Sequence, residues 1–464
     1  MERKISHLEP KSVWGYFEDI CQVPRPSKKE EKIIRFLEDF ALENNLKIKK
    51  DKAGNVLITA PPATNGYENA PTVVLQSHMD MVGEKNNNVE HDFDIDVIKP
   101  FIEGDWVKAR GTTLGADCGI GMAASMAVLT SEDIDHGPIE CLFTVDEETG
   151  LSGAFALEPG FFDGKILLNL DSEDEGELFM GCAGGIDTLA TFQYKNENIP
   201  TGYFPLKLNV SGLLGGHSGD DIHKGRANAI KILVRFLWEA NRKYGIRIAK
   251  IEGGNLRNAI AREAEAVILV RNAYKESLVA DFNVFKHEIA EEISETEPNI
   301  LIDHESTDVP DHVIDEVTSD NLLNALFICP HGIQAMSFRM PGMVETSTNL
   351  ASVKFTDNNS ILVTTSQRSD RESGKKEISS VVEAVFEKSG ANVRHSDGYP
   401  GWTPNPESSI LKTTVDAYQT LFNVNPIVRS VHAGLECGLF LEKYPGLDMV
   451  SFGPTILGAH SPDE

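Results

Sequence analysis

Three short runs constrain this chain more than anything else in it: Thr72 to Gln76, Ile139 to Val145 and Lys165 to Leu170 are apolar almost throughout and do not alternate. A strand with one wet face alternates with a period of two, so near-continuous apolar runs of this length belong to a sheet covered on both faces. Between the first two runs, Gly119 to Leu129 is small, apolar and compatible with a helix. Upstream, Lys11 to Ile20 and Lys28 to Glu43 have helical spacing, with Ser27 as the expected N-cap of the second. The style is βαβ, and it predicts an α/β domain with a sheet flanked by helices.

After the glycine-rich Gly181-Cys-Ala-Gly-Gly185 the texture changes. Alternating strands (Pro205 to Val210, Glu265 to Val270, Ile361 to Thr365) now accompany longer amphipathic helices, which reads as an α+β domain. A weak internal repeat runs through it. One copy is helix 227–240, the segment to Asn255, Asn258 and a strand; the other is helix 319–328, the segment 332–343, Asn349 and the strand 361–365. The acidic, proline-containing stretch 291–318 is expected to be surface loop. From Pro406 the α/β style returns, with a helix over 408–421 and a strand over 448–452. With 464 residues the chain exceeds one ordinary core. The expectation is therefore one α/β domain made of 1–185 and 398–464, interrupted by an inserted α+β domain over 186–397.

Composition narrows the partners. A net charge of -28 repels phosphate backbones and anionic lipid, so neither nucleic acid nor membrane is expected. No run approaches the length of a membrane span, and the N-terminus has no signal-peptide pattern. The six cysteines are scattered without a CxxC pair, as reduced thiols of the cytoplasm would be.

The chemistry sits where the apolar runs end. His78 and Asp80 follow the first, Glu147 and Glu148 the second, Asp171 the third, and Asp117 stands just before the small apolar helix. Open α/β sheets bind ligands beyond the carboxyl ends of their strands. Singly, each residue has a plainer reading: a bonded histidine, a solvated turn, an N-cap. Together, if the three strands are neighbours, the carboxylates would repel one another unless a cation neutralised them.

Six ordered motifs then carry a resemblance over essentially the whole chain: Ser77-His-Met-Asp80, Gly115-Ala-Asp117, Asp146-Glu-Glu-Thr-Gly150, Asn169-Leu-Asp171, Gly216-His-Ser-Gly219 and Gly458-Ala-His460. The chain resembles the M20-type metallopeptidases, most of all their bacterial aminoacyl-histidine dipeptidase (Xaa-His dipeptidase, peptidase D) branch. That resemblance implies two divalent metal ions, zinc by preference with cobalt or manganese able to substitute. His78 and Asp171 would hold one ion, Glu148 and His460 the other, and Asp117 would bridge them. Glu147 would be the general base acting on a metal-activated water, Asp80 would orient His78, and His217 would supply a donor to the oxyanion. Asn258 would bind substrate backbone. Arg368 is the candidate for the substrate's terminal carboxylate and Glu436 for its free amine. His432 is read as structural. The expected substrates are unblocked dipeptides, Xaa-His and β-alanyl-histidine among them. The resemblance makes the split α/β domain catalytic and the inserted domain over 186–397 its lid; a homodimer through the lid is an expected assembly, and a duplicated lid would let His217 act within its own chain. The alternatives are an N-acyl amino acid deacylase or a tripeptidase of the same family and, more remotely, a non-catalytic binding protein. The sequence stops four residues after His460, where related enzymes usually continue into a helix, so the anchoring of His460 is the point on which the second metal is expected to turn.

Overall fold

The computed structural model describes residues 3–63 and 66–464. The chain forms two compact units. One comprises Met1–Gly181, Pro404–Ser430 and Leu435–Glu464; the other comprises Cys182–Thr403 and Val431–Gly434.

The first unit is built on an eight-stranded mixed sheet. Its order is Lys47–Lys50, Val56–Ala60, Ile139–Thr144, Val73–His78, Ile166–Asn169, Asp448–Ser451, Glu177–Cys182 and Ile427–Val431. The three apolar runs are therefore neighbours. Val73–His78 lies between the other two and runs parallel to both, with His78 opposite Thr144 and Gln76 opposite Asn169. Helices Lys11–Ile20 and Glu31–Glu43 contribute Phe17, Ile20, Ile33 and Leu37 to the core on this sheet, beside Met122 and Met126 of helix Ala116–Leu129. Ser27 does not cap the second helix, which starts at Glu31 without a side-chain cap. Lys28 takes a left-handed φ of 69°, which keeps residue 28 outside the helix, and the Ser27 hydroxyl goes to Asp80 instead.

The second unit has a nine-stranded sheet made of two β-α-β-β-α-β sets. The first set is Tyr203–Ser211, helix Ala229–Tyr244, Arg247–Gly253, Ala264–Arg271, helix Lys275–Glu292 and Leu301–Ser306. The second is Gly184–Gln193, helix Glu316–Ile328, Val344–Thr356, Ser360–Ser369, helix Glu372–Lys388 and Asn392–His395. Numbering strands within each set, the sheet reads 4-1-3-2 and then 2-3-1-4, joined where Gly253 pairs with Val353; Gly332–Met336 is added alongside Val344–Thr356. A repeat is thus structural, but its middle differs from the sequence reading: the counterpart of Arg247–Gly253 is Val344–Thr356, which contains Asn349, and Gly332–Met336 lies outside the set. The stretch expected to be loop over 291–318 is not: it holds the edge strand Leu301–Ser306 and the short strand Val313–Ile314. Asp303, His304 and Glu305 lie on that edge strand, and only Ile302 is fully buried, so the apolar pattern that would reveal it is a single residue long. No described helix is long and apolar enough to cross a membrane.

Candidate metal centre

Parallel register brings the strand ends level, and the residues that follow them converge. His78 closes the central strand, Glu147 and Glu148 lie three and four residues beyond Thr144, and Asp171 lies two beyond Asn169. His78 is buried, with Nε2 3.1 Å from Asp171 Oδ1 and 3.0 Å from Asp117 Oδ1. His460, half exposed, places Nε2 3.2 Å from Asp117 Oδ2 and 2.9 Å from Glu148 Oε2. Asp117 therefore turns one oxygen to each histidine. It can do so because its backbone (φ -81°, ψ 113°) is not helical, and Gly115 before it is left-handed at φ 73°. A Cβ on Gly115 would meet Arg25 Nη2 and Met81 Sδ at 2.8 Å, so only glycine allows that turn to sit so close to the strand.

Asp80 organises the turn opposite. Its carboxylate accepts from the Glu147 N–H at 3.0 Å, the Glu148 N–H at 3.3 Å and the Ser27 hydroxyl at 2.8 Å, and Oδ1 faces His78 Nδ1 at 3.3 Å. Buried Arg25 clips two backbone segments together, donating to the carbonyls of Met79 and Asp80 on one and of Gly115 on the other. The terminal segment is tied to the same loop, because the Glu464 carboxylate accepts from the N–H groups of Leu114, Gly115 and Ala116 at 2.9, 3.1 and 2.7 Å.

Burial opposes ionisation of this acid cluster, and its members repel one another. Glu147 is held well above the usual carboxylate range by burial and by Asp171, Glu148 and Glu436, and Glu148 and Asp171 are raised for the same first reason. Asp117 goes the other way: against its burial, His460 and His78 hold it ionised. His78 is raised by Asp171, Asp117 and Asp80 in spite of burial, and His460 is raised to about 11 by Asp117 and Glu148. Glu148 Oε1 is buried without a hydrogen-bond partner, and buried Asp171 Oδ1 has only the His78 ring nitrogen beside it, at 3.1 Å and outside hydrogen-bonding geometry. Those orphaned oxygens, two imidazole nitrogens and a carboxylate facing both ways form a mixed N/O donor set that fits divalent cations. Cys118 Sγ also lies in the His78 group, but it donates to the Leu170 carbonyl at 3.1 Å, and burial and Asp171 keep it a thiol.

Glu436 is fully buried. Its Oε2 accepts from Gln76 Nε2 at 2.6 Å and Thr144 Oγ1 at 2.8 Å, Oε1 has no partner, and burial with Asp171 pushes it up to about 8.

The remaining residues singled out in the sequence belong to the second unit. His217 forms a β-bridge with Ala259, and the Ser218 N–H donates to the Asn258 carbonyl at 2.7 Å, so the His217 segment and the turn carrying exposed Asn258 lie side by side. Asn349 secures that turn by donating to the carbonyls of Arg257 and Ala259. His217 Nδ1 accepts from the Asp220 N–H at 3.1 Å and lies 3.2 Å from Asp220 Oδ2. Arg368 is buried, and its Nη1 donates to the Tyr399 hydroxyl at 3.0 Å. His432 is buried against Ser347 Oγ at 2.8 Å and lowered to about 3 by burial and by Arg368, so it stays neutral. Arg25, Asp220 and Tyr399 were not singled out in the sequence, and Ser27 only as a helix cap. Arg25 and Gly115, Ser27 and Asp80, and Tyr399 and Arg368 are 31 to 90 positions apart, and nothing in local spacing announces such contacts; Asp220, three residues from His217, is the one that local spacing could have offered.

A family model described as peptidase family M20/M25/M40 matches residues 74–464. The cytosol non-specific dipeptidase of Escherichia coli (strain K12) is 43% identical over 461 residues, covering 99% of this chain and 95% of that relative. The crystal structure of the aminoacylhistidine dipeptidase from Vibrio alginolyticus superposes with a TM-score of 0.90 at 44% identity, over 99% of this chain and 94% of the other. A tripeptidase structure from Staphylococcus aureus shares the fold at a TM-score of 0.53 and 17% identity, over 98% of this chain and 93% of the other.

Proposed function

The chain belongs to peptidase family M20/M25/M40, and from that premise we propose that it is a dinuclear metal-dependent dipeptidase hydrolysing unblocked dipeptides, Xaa-His and β-alanyl-histidine among them. The observation that carries this reading is Asp117, whose two oxygens face two different histidines, each accompanied by its own carboxylate. His78 and Asp171 would hold one ion, His460 and Glu148 the other, with Asp117 shared. The ligand set favours zinc, and cobalt or manganese suit the same donors. When bound, the two ions would polarise the scissile carbonyl and acidify an attacking water.

The chain's own residues do the rest. Glu147, its pKa raised by burial and by Asp171 and Glu148, takes the water's proton and returns it to the leaving amine. Asp80 fixes two things at once: it faces His78 Nδ1 and holds the backbone on which Glu147 and Glu148 sit. In the second unit, Asp220 engages His217 Nδ1, which leaves Nε2 as the nitrogen that can face an oxyanion. Asn258, on the segment bridged to that of His217, binds substrate backbone. Arg368 takes the terminal carboxylate, and the buried, neutral-leaning Glu436 backs the position of the free amine. The second unit would act as the lid, and its doubled β-α-β-β-α-β sheet supports a chain whose His217 needs no second copy. A cytoplasmic location is supported by the cytosol dipeptidase relative.

Glu147→Gln tests the reading. The variant should keep its metal content by elemental analysis and lose alanyl-histidine turnover by roughly 10²–10⁴-fold. Turnover that survives would remove Glu147 from the base role. Activity of the wild type on N-acetyl-histidine in place of alanyl-histidine would favour a deacylase.

A further inference from the structure

Arg368 is 7% exposed; the Asp220 carboxylate feels its charge but is not among its hydrogen-bonded partners. A buried guanidinium without a directly bonded anion is costly, so what surrounds it is informative. Four residues lie side by side across the sheet of the second unit. Ser347 is opposite Arg368, Arg368 is opposite Gly185, and Gly185 exchanges both backbone hydrogen bonds with Tyr399. The tyrosine ring crosses Gly185 to reach the arginine: a Cβ on Gly185 would lie 2.5 Å from the phenol oxygen. On its other side, a Cβ on Gly434 would lie 2.8 Å from Tyr399 Cε2. The phenol therefore sits between two glycines, where any side chain would displace it. Lys375 Nζ adds a hydrogen bond to the Tyr399 carbonyl at 2.6 Å. Held this way, the hydroxyl accepts from Arg368 Nη1 at 3.0 Å, while Arg368 Nε has no partner at all.

We propose that Tyr399 is a positioning residue for Arg368: by occupying Nη1 it fixes the guanidinium plane and leaves the Nε–Nη2 edge for the terminal carboxylate of a dipeptide. A guanidinium binds a carboxylate through two parallel N–H groups, so fixing its plane matters as much as its charge. The inference rests on the reading of Arg368 as the carboxylate's partner, and it adds what makes that partner competent. Ser347, the other neighbour in the row, is engaged with His432 Nε2 and does not compete for the arginine.

The test compares alanyl-histidine with alanyl-histidinamide, which lacks the carboxylate, on metal-replete full-length protein. Tyr399→Phe removes one oxygen and keeps the ring between its glycines. It should raise KM for alanyl-histidine about tenfold, as expected for one lost charge-assisted hydrogen bond, with kcat within about twofold and the amide unaffected. An unchanged KM, or an equal loss on acid and amide, overturns the proposal, with the melting temperature of the variant confirming that it is folded. Arg368→Lys separates the two layers. If it leaves the preference for acid over amide intact, the reading of Arg368 fails and this inference fails with it. If it abolishes the preference while Tyr399→Phe does not, Tyr399 alone is discarded.

Discussion

Glu436 has no exposed atoms, and burial with the neighbouring Asp171 pushes its carboxyl up to about 8. Glu147, Glu148 and Asp171 are raised as well. Unfolded carboxyls titrate near about 4, so above that the folded, metal-free protein binds more protons than the unfolded chain, and stability falls as pH rises toward about 8. His460, raised to about 11, adds stability that is complete below the unfolded histidine value and is lost as pH climbs toward that figure, which is the same sign. Asp80 and Asp117 are lowered, and their contribution is lost only in more acid solution. Metal must displace the protons these groups retain. The rise in melting temperature on adding zinc to stripped protein should therefore be larger at about pH 8 than at about pH 5.5; a rise that is equal or smaller at the higher pH contradicts this. At this scale the sequence was informative for residues that follow a strand end, because a strand's polarity tells which end carries the site. It was silent on Arg25 and on Ser27, which looked like a cap and serves Asp80.

Among the elements, the helix behind Asp117 is held close to the strand that leads to Asp171. A Cβ on Gly121 would lie 2.6 Å from Cys118 Sγ and 2.6 Å from the Leu170 carbonyl, the residue next to Asp171. Gly121→Ala should push helix from strand. It should cost about 1–3 kcal/mol, seen as a melting temperature several degrees lower, and weaken metal binding because Asp117 and Asp171 separate. Wild-type metal affinity in that variant would mean that the close packing does not set the distance between them. Elements also show why legibility was uneven. The apolar runs at 73–78, 139–144 and 166–169 identified themselves because both their faces are covered. The repeat was visible only from its helices onward, since the second set's first strand, Gly184–Gln193, precedes the entire first set in the chain. Leu301–Ser306 passed for loop because an edge strand needs few apolar residues.

For the whole molecule, the charge of -28 and the acid cluster act in one direction: both favour cations over anionic partners. A hydrolytic centre of the kind described needs its cations, and its activity has to follow their number. The most direct measurement is a zinc titration of chelator-stripped full-length protein, with alanyl-histidine hydrolysis followed at each step. The account predicts no turnover in stripped protein and a plateau at two ions per chain, with Asp117→Asn failing to reach it. Full turnover in stripped protein, or a plateau at a single ion, would contradict a centre bridged by Asp117.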